Sequence, residues 1–277
     1  MKKNLLFLAP LFLFACSKHN NTGSNNNGPV SWLSSVSIYN SGTRLTDSIL
    51  YDPSHRVAQF GQYQFDTTSG PPKVYSWTAT FTLPPDTAAP PTSYVYAGAG
   101  VPETHQLSYD GQGRITKDTN LVTSGTVMYF SYFNSNIAVK IFFDGSQQDY
   151  QLDTLSLTNG NITTSRIHLP NAAHTADSLE SSLILGYGGF GNPGYQSGIA
   201  LAIGPLLYVL QLNTFGSVWD FTSIRAFNSV EDITYGQSSG PTSSIITYTQ
   251  TGDSKGRLIQ SVPYAGSTVG MITFNYY

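Results

Sequence analysis

Strict alternation of apolar and polar side chains limits this chain to a β fold more firmly than any other feature. In Val74–Leu83, VYSWTATFTL, every second residue from Tyr75 to Leu83 is apolar, and the residues between them are Ser or Thr. A period of two places the two kinds of side chain on opposite faces of a half-buried strand. The same pattern recurs in Val36–Tyr39, Thr126–Phe133, Ile137–Phe143, Tyr150–Leu157, Ile162–Leu169, Ser178–Leu185, Ile245–Thr249 and Met271–Tyr276.

Short turn signals separate several of these runs and predict hairpins. Asn159-Gly160 is the clearest, because both residues accept positive φ. Hairpins joined in sequence give an antiparallel meander. So many strands are expected to curl into an open barrel or a sandwich. One nearly continuous apolar segment, Gln196–Leu212, lacks clean alternation. It predicts either a buried strand pair or, as we favour, a short helical element packed on the concave side of the sheet.

A ten-residue phrase, LSYDGQGRIT at Leu107–Thr116, has weaker copies at Tyr51–Val57 and Gly252–Ile259. Each copy places an Asp four residues before an Arg, and two of them have a Gly directly before that Arg. We interpret all three as strand turns in which the Asp caps nearby backbone amides, the Gly adopts a left-handed conformation and the Arg lies beside the Asp. The predicted turn-forming residues are Asp52, Arg56, Asp110, Gly113, Arg114, Asp253, Gly256 and Arg257.

The first thirty residues predict secretion and a tether. Lys2 and Lys3 precede the apolar run Leu5–Ala15, which is shorter than the roughly 20 residues that a membrane-spanning helix needs. A single cysteine, Cys16, follows, and the next dozen residues are almost all Asn, Ser and Gly. Such a composition is typical of a flexible segment. The sequence therefore divides into a signal peptide (1–15), a tether (16–29) and one β-rich domain (30–277).

Composition excludes a nucleic-acid partner. Only 10% of the residues are charged, and removal of Lys2 and Lys3 with the signal changes the formal charge from −3 to −5, which is 11 basic against 16 acidic residues. No run of basic residues is present, whereas binding by neutralisation of phosphates needs a basic footprint. The surface is instead expected to be solvated mainly by Ser, Thr, Asn and Gln.

Leu13-Phe14-Ala15-Cys16 resembles the lipobox of bacterial lipoproteins, which implies cleavage before Cys16 and a diacylglycerol on its thiol. The Tyr-Asp-x-x-Gly-Arg phrase resembles the YD repeat of Rhs-like shell proteins, although the copies form no tandem array. The mature chain also resembles Bacteroidetes-type lipoproteins without an assigned activity, through the lipobox, these hairpins, Asn192–Tyr195 and Phe274–Tyr277. This resemblance implies a bacterial outer-membrane protein held by its lipid anchor on either the periplasmic or the outer side.

The sequence offers no convincing catalytic, cofactor or metal site. The five histidines (His19, His55, His105, His168 and His174) lack the spacing of a metal site. Gly186, Gly188 and Gly191 match the spacing of a dinucleotide-binding loop, but Asn192-Pro193-Gly194 follows them where a helix is required, which favours an ordinary glycine-rich loop. Asp144, Asp149 and Asp153 are interpreted as solvated or turn-capping carboxylates. Tyr39, Tyr63, Tyr94, Tyr96, Tyr187 and Tyr195 are interpreted as the filling of a half-buried sheet.

We therefore expect a non-enzymatic envelope lipoprotein that binds a ligand or a protein partner and has no cofactor. Two alternatives stay open at this point: a carrier or chaperone for lipid or apolar cargo, and, third, a hydrolase that acts on glycan or lipid. Converging carboxylates would favour the hydrolase, and a large dry concavity lined by Leu206 and Leu207 would favour the carrier.

Overall fold

The computed structural model describes residues 32–40, 42–66, 73–86, 88–122, 126–142, 150–170, 177–192, 204–207, 225–236, 240–264 and 271–277. These residues form sixteen strands: β1 (Leu33–Asn40), β2 (Thr43–Tyr51), β3 (Val57–Asp66), β4 (Lys73–Thr82), β5 (Ser93–Ala97), β6 (Glu103–Tyr109), β7 (Ile115–Asn120), β8 (Val127–Phe133), β9 (Asn136–Phe142), β10 (Tyr150–Thr158), β11 (Asn161–Pro170), β12 (Asp177–Gly191), β13 (Arg225–Gly236), β14 (Gly240–Gly252), β15 (Leu258–Pro263) and β16 (Ile272–Tyr276).

Each strand pairs antiparallel with its neighbours in sequence, and the first strand pairs with the last. Val36 opposes Phe274 and Ile38 opposes Ile272 across the β1–β16 seam. The sheet is therefore a closed barrel. Our expectation of an all-β antiparallel meander is confirmed, whereas the expectation of an open barrel or a sandwich is wrong, because the β1–β16 pairing leaves no free edge.

A meander places alternate connections at opposite ends of the barrel. The three Asp–Arg turns, which follow β2, β6 and β14, all lie at one end, and β1 begins and β16 finishes there. We call this the turn end. The other end, which we call the loop end, has the connections after β1, β3, β5 and every later odd-numbered strand. Backbone hydrogen bonding between Tyr277 N and Trp32 O, at 2.9 Å, joins the two described termini at the turn end.

The wall of the barrel is one strand thick, so alternate side chains face the enclosed interior and the outside. Trp77, Ala79 and Phe81 of β4 are buried, while Ser76, Thr80 and Thr82, which have the opposite phase, are exposed. The alternation predicted from the sequence is therefore present, with the apolar phase facing inward. Of the apolar segment Gln196–Leu212, the described residues 204–207 form one helical turn, α1, in which Leu206 and Leu207 are fully buried and belong to the same core.

Within the described ranges, no helix has the length and apolar character needed to cross a membrane.

Candidate functional site

The three Asp–Arg turns share one hydrogen-bond pattern. In the second copy, Asp110 Oδ1 accepts hydrogen bonds from the amides of Gln112 (2.9 Å) and Arg114 (3.0 Å), while Arg114 Nε donates to Asp110 Oδ2 at 2.7 Å. The same contacts recur in the other two copies, at Asp52–Arg56 and Asp253–Arg257. These bonds, led by the backbone amides of Arg114 and Arg257, lower the pKa of Asp110 and of Asp253.

The remaining parts of the turn also have structural roles. Gly113 and Gly256 adopt φ of 75°, and His55 takes the equivalent position at φ 63°. The apolar residue after each Arg is buried; these are Val57, Ile115 and Leu258. The guanidinium groups of Arg114 and Arg257 lie 4.3 Å above the Tyr132 ring and 4.7 Å above the Tyr276 ring. The Asp carboxylates and the Arg guanidinium groups thus have partners inside the turn or on a neighbouring strand, and the turn is explained without a ligand.

Several residues considered from the sequence lie outside the described part of the chain, among them the predicted lipid-attachment residue Cys16 and His19, Asp144, Asp149, His174 and Tyr195. Gly186, Gly188 and Gly191 lie within the long strand β12, so the interpretation of these residues as a loop is wrong. A Cβ atom at Gly186 would collide with the Ser229 side chain, and one at Gly188 would collide with the Gln250 side chain. The two glycines therefore allow these side chains of β13 and β14 to approach the β12 backbone closely.

Polar side chains interrupt the apolar interior in its loop-end half. The most extensive group lies on the adjacent strands β5, β6 and β7, where Tyr94, His105 and Asp118 are almost fully buried. The Tyr94 hydroxyl donates to Asp118 Oδ2 at 2.6 Å, and His105 Nδ1 lies 2.9 Å from Asp118 Oδ1. Burial, together with the charge of Asp118, raises the pKa of Tyr94, so its phenol stays protonated and serves as a donor.

This buried group reaches solvent through Glu103. His105 Nε2 faces Glu103 Oε2 at 3.5 Å, and the amide of Asn120 donates to the same oxygen at 2.7 Å. The Glu103 side chain is 34% exposed. Tyr96 opposes Glu103 in register on β5, and its ring stacks on that of Trp77 at 5.4 Å. The four strands β4 to β7 therefore present an aromatic and acidic lining at the loop end.

A second polar chain lies beside the first. The indole of Trp77 donates to Gln62 Oε1 at 3.1 Å, and Gln62 Nε2 donates to Asp47 Oδ1 at 2.8 Å. Burial raises the pKa of Asp47 to about 7, because the hydrogen bond from Gln62, which lowers this pKa, offsets only part of the effect of burial. The donor to Asp47 in this chain is the neutral Gln62 amide, and no basic side chain takes part in these contacts.

A third inward-facing carboxyl, Asp153, lies further round the barrel on β10. Its Oδ1 accepts from Gln151 Nε2 at 2.8 Å, whereas its Oδ2 is buried and has no hydrogen-bond partner. Burial raises its pKa to about 6. The buried hydroxyl of Ser165, on the adjacent strand β11, is also without a partner. The interpretation of Asp153 as a solvated or turn-capping carboxylate is wrong, because the phase of β10 turns it inward.

The polar groups do not form a familiar catalytic arrangement. His105 and Asp118 resemble the His and Asp of a Ser-His-Asp triad, because Asp118 contacts Nδ1 of the imidazole. The other nitrogen, Nε2, faces the Glu103 carboxylate, where a triad has a nucleophilic hydroxyl. No cluster of three or more His, Cys, Asp or Glu side chains that could hold a metal ion occurs among the described residues. The arrangement can accept hydrogen bonds and favour positive charge.

Comparison with known proteins adds a likeness of fold. No protein-family model matches the chain, and no curated protein matches it. Among solved structures, a porin-like protein from Bacteroides uniformis aligns at a TM-score of 0.51 and 16% identity, over 88% of this chain and 96% of that one. A porin-like protein from Bacteroides vulgatus aligns at a TM-score of 0.45 and 9% identity, over 89% and 99%. At these identities the first likeness supports a shared barrel fold alone.

Proposed function

We propose that the protein is a cell-envelope lipoprotein, anchored to the bacterial outer membrane through Cys16, whose barrel binds a ligand or partner without catalysing a reaction. In this proposal the barrel lies in water beside the membrane. Its interior is filled at the turn end and reached by solvent at the loop end, and we call this form a cup. The observation that supports it most strongly is the polarity of the two faces of the wall.

The outer face is polar over most of the barrel. Exposed outward-facing side chains include Ser76, Thr80, Thr82, Gln106, Ser108, Ser131, Thr247 and Thr249. A barrel that spans a membrane has the reverse pattern, with an apolar outer band about 25 Å tall and a polar interior. The apolar side chains on this face include exposed Val95 and Ile245 and one group of three rings, Tyr129, Phe142 and Tyr150, that contact one another. The outer surface is thus suited to contact with water, and in this proposal the acyl chains on Cys16 attach the protein to the membrane.

The interior differs between the two ends. Inward-facing side chains near the turn end are fully buried; they include Leu33, Ile49, Phe60, Ile115, Leu155, Ile162 and Leu258. Near the loop end several are only partly buried, namely Gln64, Tyr96, Glu103, Gln151 and Ile167. This gradient supports a binding site that opens at the loop end. Since β1 begins at the turn end, a tether that precedes it would leave the loop end facing away from its membrane anchor.

The alternatives receive less support. Leu206 and Leu207 are packed in the core with no exposed surface, whereas a carrier of apolar cargo would use such side chains to line a cavity. Two carboxyls, Asp118 and Glu103, do converge, but the His105 ring lies between them, in contact with Asp118 at Nδ1 and with Glu103 at Nε2. This ring fills the space that a scissile glycosidic bond would need between two catalytic carboxyls, which disfavours the hydrolase. A binding module therefore fits the described residues better than either alternative.

Three measurements test the proposal. Mass analysis of the mature protein from its own envelope should give a chain that begins at Cys16 with acyl chains attached. The chain from residue 17 onward should stay monodisperse without detergent, and the mature protein should add no conductance to a planar bilayer. A bare Cys16 thiol would remove the anchor, and channel conductance together with a need for detergent would remove the cup.

A further inference from the structure

The charged side chains of the barrel are sorted by face. The described residues at inward positions include six acids, which are Asp47, Asp66, Glu103, Asp118, Asp153 and Asp232, together with His105. The described basic side chains lie elsewhere. Arg44, Lys117 and Lys140 lie over the outward-facing rings of Phe65, Tyr129 and Tyr150, and Arg166 is exposed. Arg56, Arg114, Lys255 and Arg257 belong to the turns.

Two basic residues on the described strands, Lys73 and Arg225, have side chains outside the description. Lys73 pairs in register with Asp66 at the rim of β3 and β4. Among the described inward-facing side chains, His105 is the one that can carry a positive charge. An interior with this sign of charge attracts cations and repels anions.

Two of these acids retain an oxygen that can accept a hydrogen bond. Asp153 is fully buried, and its Oδ2 has no partner. A buried acceptor without a donor costs free energy, which a ligand that brings an N–H group would recover. At the mouth, both recorded contacts of Glu103 use Oε2, so Oε1 is left for a donor from solvent or from a ligand.

Exposed apolar side chains lie in the connections next to Glu103. Val101 in the β5–β6 connection is 78% exposed, and Leu121 and Val122, directly after β7, are 57% and 52% exposed. A hydrogen bond from Leu121 N to Thr104 O at 2.7 Å joins the segment after β7 to the beginning of β6, close to the β5–β6 connection. We call these three residues the apolar rim. The ring of Tyr96 lies opposite Glu103 just inside it.

We propose that the loop-end interior binds a small organic cation, an ammonium group on an apolar chain, with the ammonium at Glu103 and Tyr96 and the chain against the apolar rim. This inference rests on the proposed cup and names its ligand class. A carboxylate beside an aromatic ring is the usual recognition pair for an ammonium group, because both present negative potential. The apolar rim supplies the burial that a bare metal ion would not use.

The test uses the mature full chain in neutral-detergent micelles, with protein-free micelles as the blank. Hexylammonium, hexanol and hexanoate share one chain and differ in the charge of the head group, and their binding is measured by titration calorimetry. Hexylammonium should bind about tenfold or more tightly than hexanol, and hexanoate should give no heat of binding. Equal affinity for hexanol would indicate apolar cargo and overturn the inference, as would binding of hexanoate or of none of the three.

Variants locate the site. Glu103→Gln should weaken hexylammonium binding about fivefold or more, because it removes the negative charge and keeps the side-chain shape. Glu231→Gln, on the outer face opposite Ile184 and Ile245, is the matched control and should leave affinity unchanged. Val101→Ser alters an exposed side chain without disturbing the core, and it should weaken hexylammonium more than ethylammonium.

Equal losses in Glu103→Gln and Glu231→Gln would indicate a surface charge effect and overturn the site. An equal effect of Val101→Ser on the two ammonium ions would remove the apolar rim from the site. These outcomes are separate from a failure of the proposed function, since a protein that is anchored, soluble without its lipid and non-conducting can still reject every cation.

Discussion

The turn end and the loop end of the barrel are built from the same strands but have opposite interiors. At the turn end most inward side chains are apolar or tyrosine, and the polar groups of three of them bond to strand backbone. Tyr51 OH donates to Leu33 O at 2.9 Å, Tyr276 OH to Leu258 O at 2.7 Å and Gln250 Nε2 to Phe227 O at 3.0 Å. At the loop end, inward carboxyl and amide groups bond to one another. The interior of the turn end is therefore a packed core, whereas the interior of the loop end is lined by polar groups, some of which can still accept hydrogen bonds.

The difference shows that closure of a barrel does not by itself make a pore. The polar interior of a membrane channel runs from end to end, whereas here the polar lining stops where the packed core begins. The turns reinforce this division, because the Arg side chains of two Asp–Arg turns cover tyrosines at the turn end. The two ends can be tested against each other with pairs of substitutions.

The largest effect is expected from a charge placed in the packed half. Phe60 and Gln64 both face inward on β3, and Phe60 is fully buried near the turn end, while Gln64 is partly exposed near the loop end. Phe60→Lys should cost more than about 4 kcal/mol of unfolding free energy, since it removes a packed ring and buries an ammonium group. Gln64→Lys should cost less than about 1 kcal/mol. Urea denaturation followed by tryptophan fluorescence measures both, and equal costs would contradict the division into two halves.

The second effect concerns the buried carboxyl of Asp47. Its folded pKa of about 7 lies above the ordinary value of 3.8, so the folded state binds the proton more tightly and stability falls as pH rises from about 4 to about 7. Asp47→Asn should remove this slope and stabilise the protein at pH 8 by about 2–4 kcal/mol. Thermal unfolding between pH 4 and pH 8 measures the slope. Asp232→Asn, at an exposed position of β13, is the control, and a slope that persists in Asp47→Asn would show that another group causes it.

A smaller effect separates the two glycines of one Asp–Arg turn. Gly111 and Gly113 both have open space around the position of a side-chain carbon, but only Gly113 has a positive φ, of 75°. Gly113→Ala should therefore cost about 1–2 kcal/mol through backbone strain alone. Gly111→Ala should be neutral or slightly stabilising. Chemical denaturation of the two variants decides, and a similar cost in both would mean that the left-handed residue does not set the turn.

The smallest effect is expected from the arginine that covers the turn end. Arg114→Ala removes the contact with Tyr132 and the ion pair with Asp110, both partly exposed, and should lower the unfolding free energy by about 1 kcal/mol. Lys255→Ala, in the third turn, changes an exposed side chain and should have no measurable effect. A loss in Lys255→Ala as large as that in Arg114→Ala would remove the special role of the stacked arginine.

Local structure followed from the sequence where one physical rule applied. The period of two located Trp77, Ala79 and Phe81 on one face, and Asn159-Gly160 forms the expected turn, with φ of 52° and 76°. Closure could not be predicted in this way. Closure depends on the pairing of Val36 with Phe274, which lie far apart in the sequence. Alternation in their short strands predicts which face is buried but does not predict which strand is the pairing partner.

The polar lining was missed, although a signal for it exists. Asp47 lies in phase with the buried Leu45 and Ile49, and His105 lies in phase with Leu107. Extending the alternation rule to every strand would have marked these polar residues as inward-facing. The sequence interpretation tested the histidines and one group of carboxylates only for the spacing of known sites, and a lining assembled from separate strands has no such spacing.

Labelling of single cysteines with a water-soluble maleimide tests the central claim most directly, because the chain has only one native cysteine, Cys16. With the mature lipoprotein bound to vesicles, the account predicts fast labelling of Thr80→Cys on the outer face and Gln64→Cys inside the loop end, and protection of Leu155→Cys inside the turn end. Labelling of Leu155→Cys as fast as Gln64→Cys would reveal a continuous channel, and protection of Thr80→Cys would place the wall in the membrane. Either result would contradict a cup that stands in water.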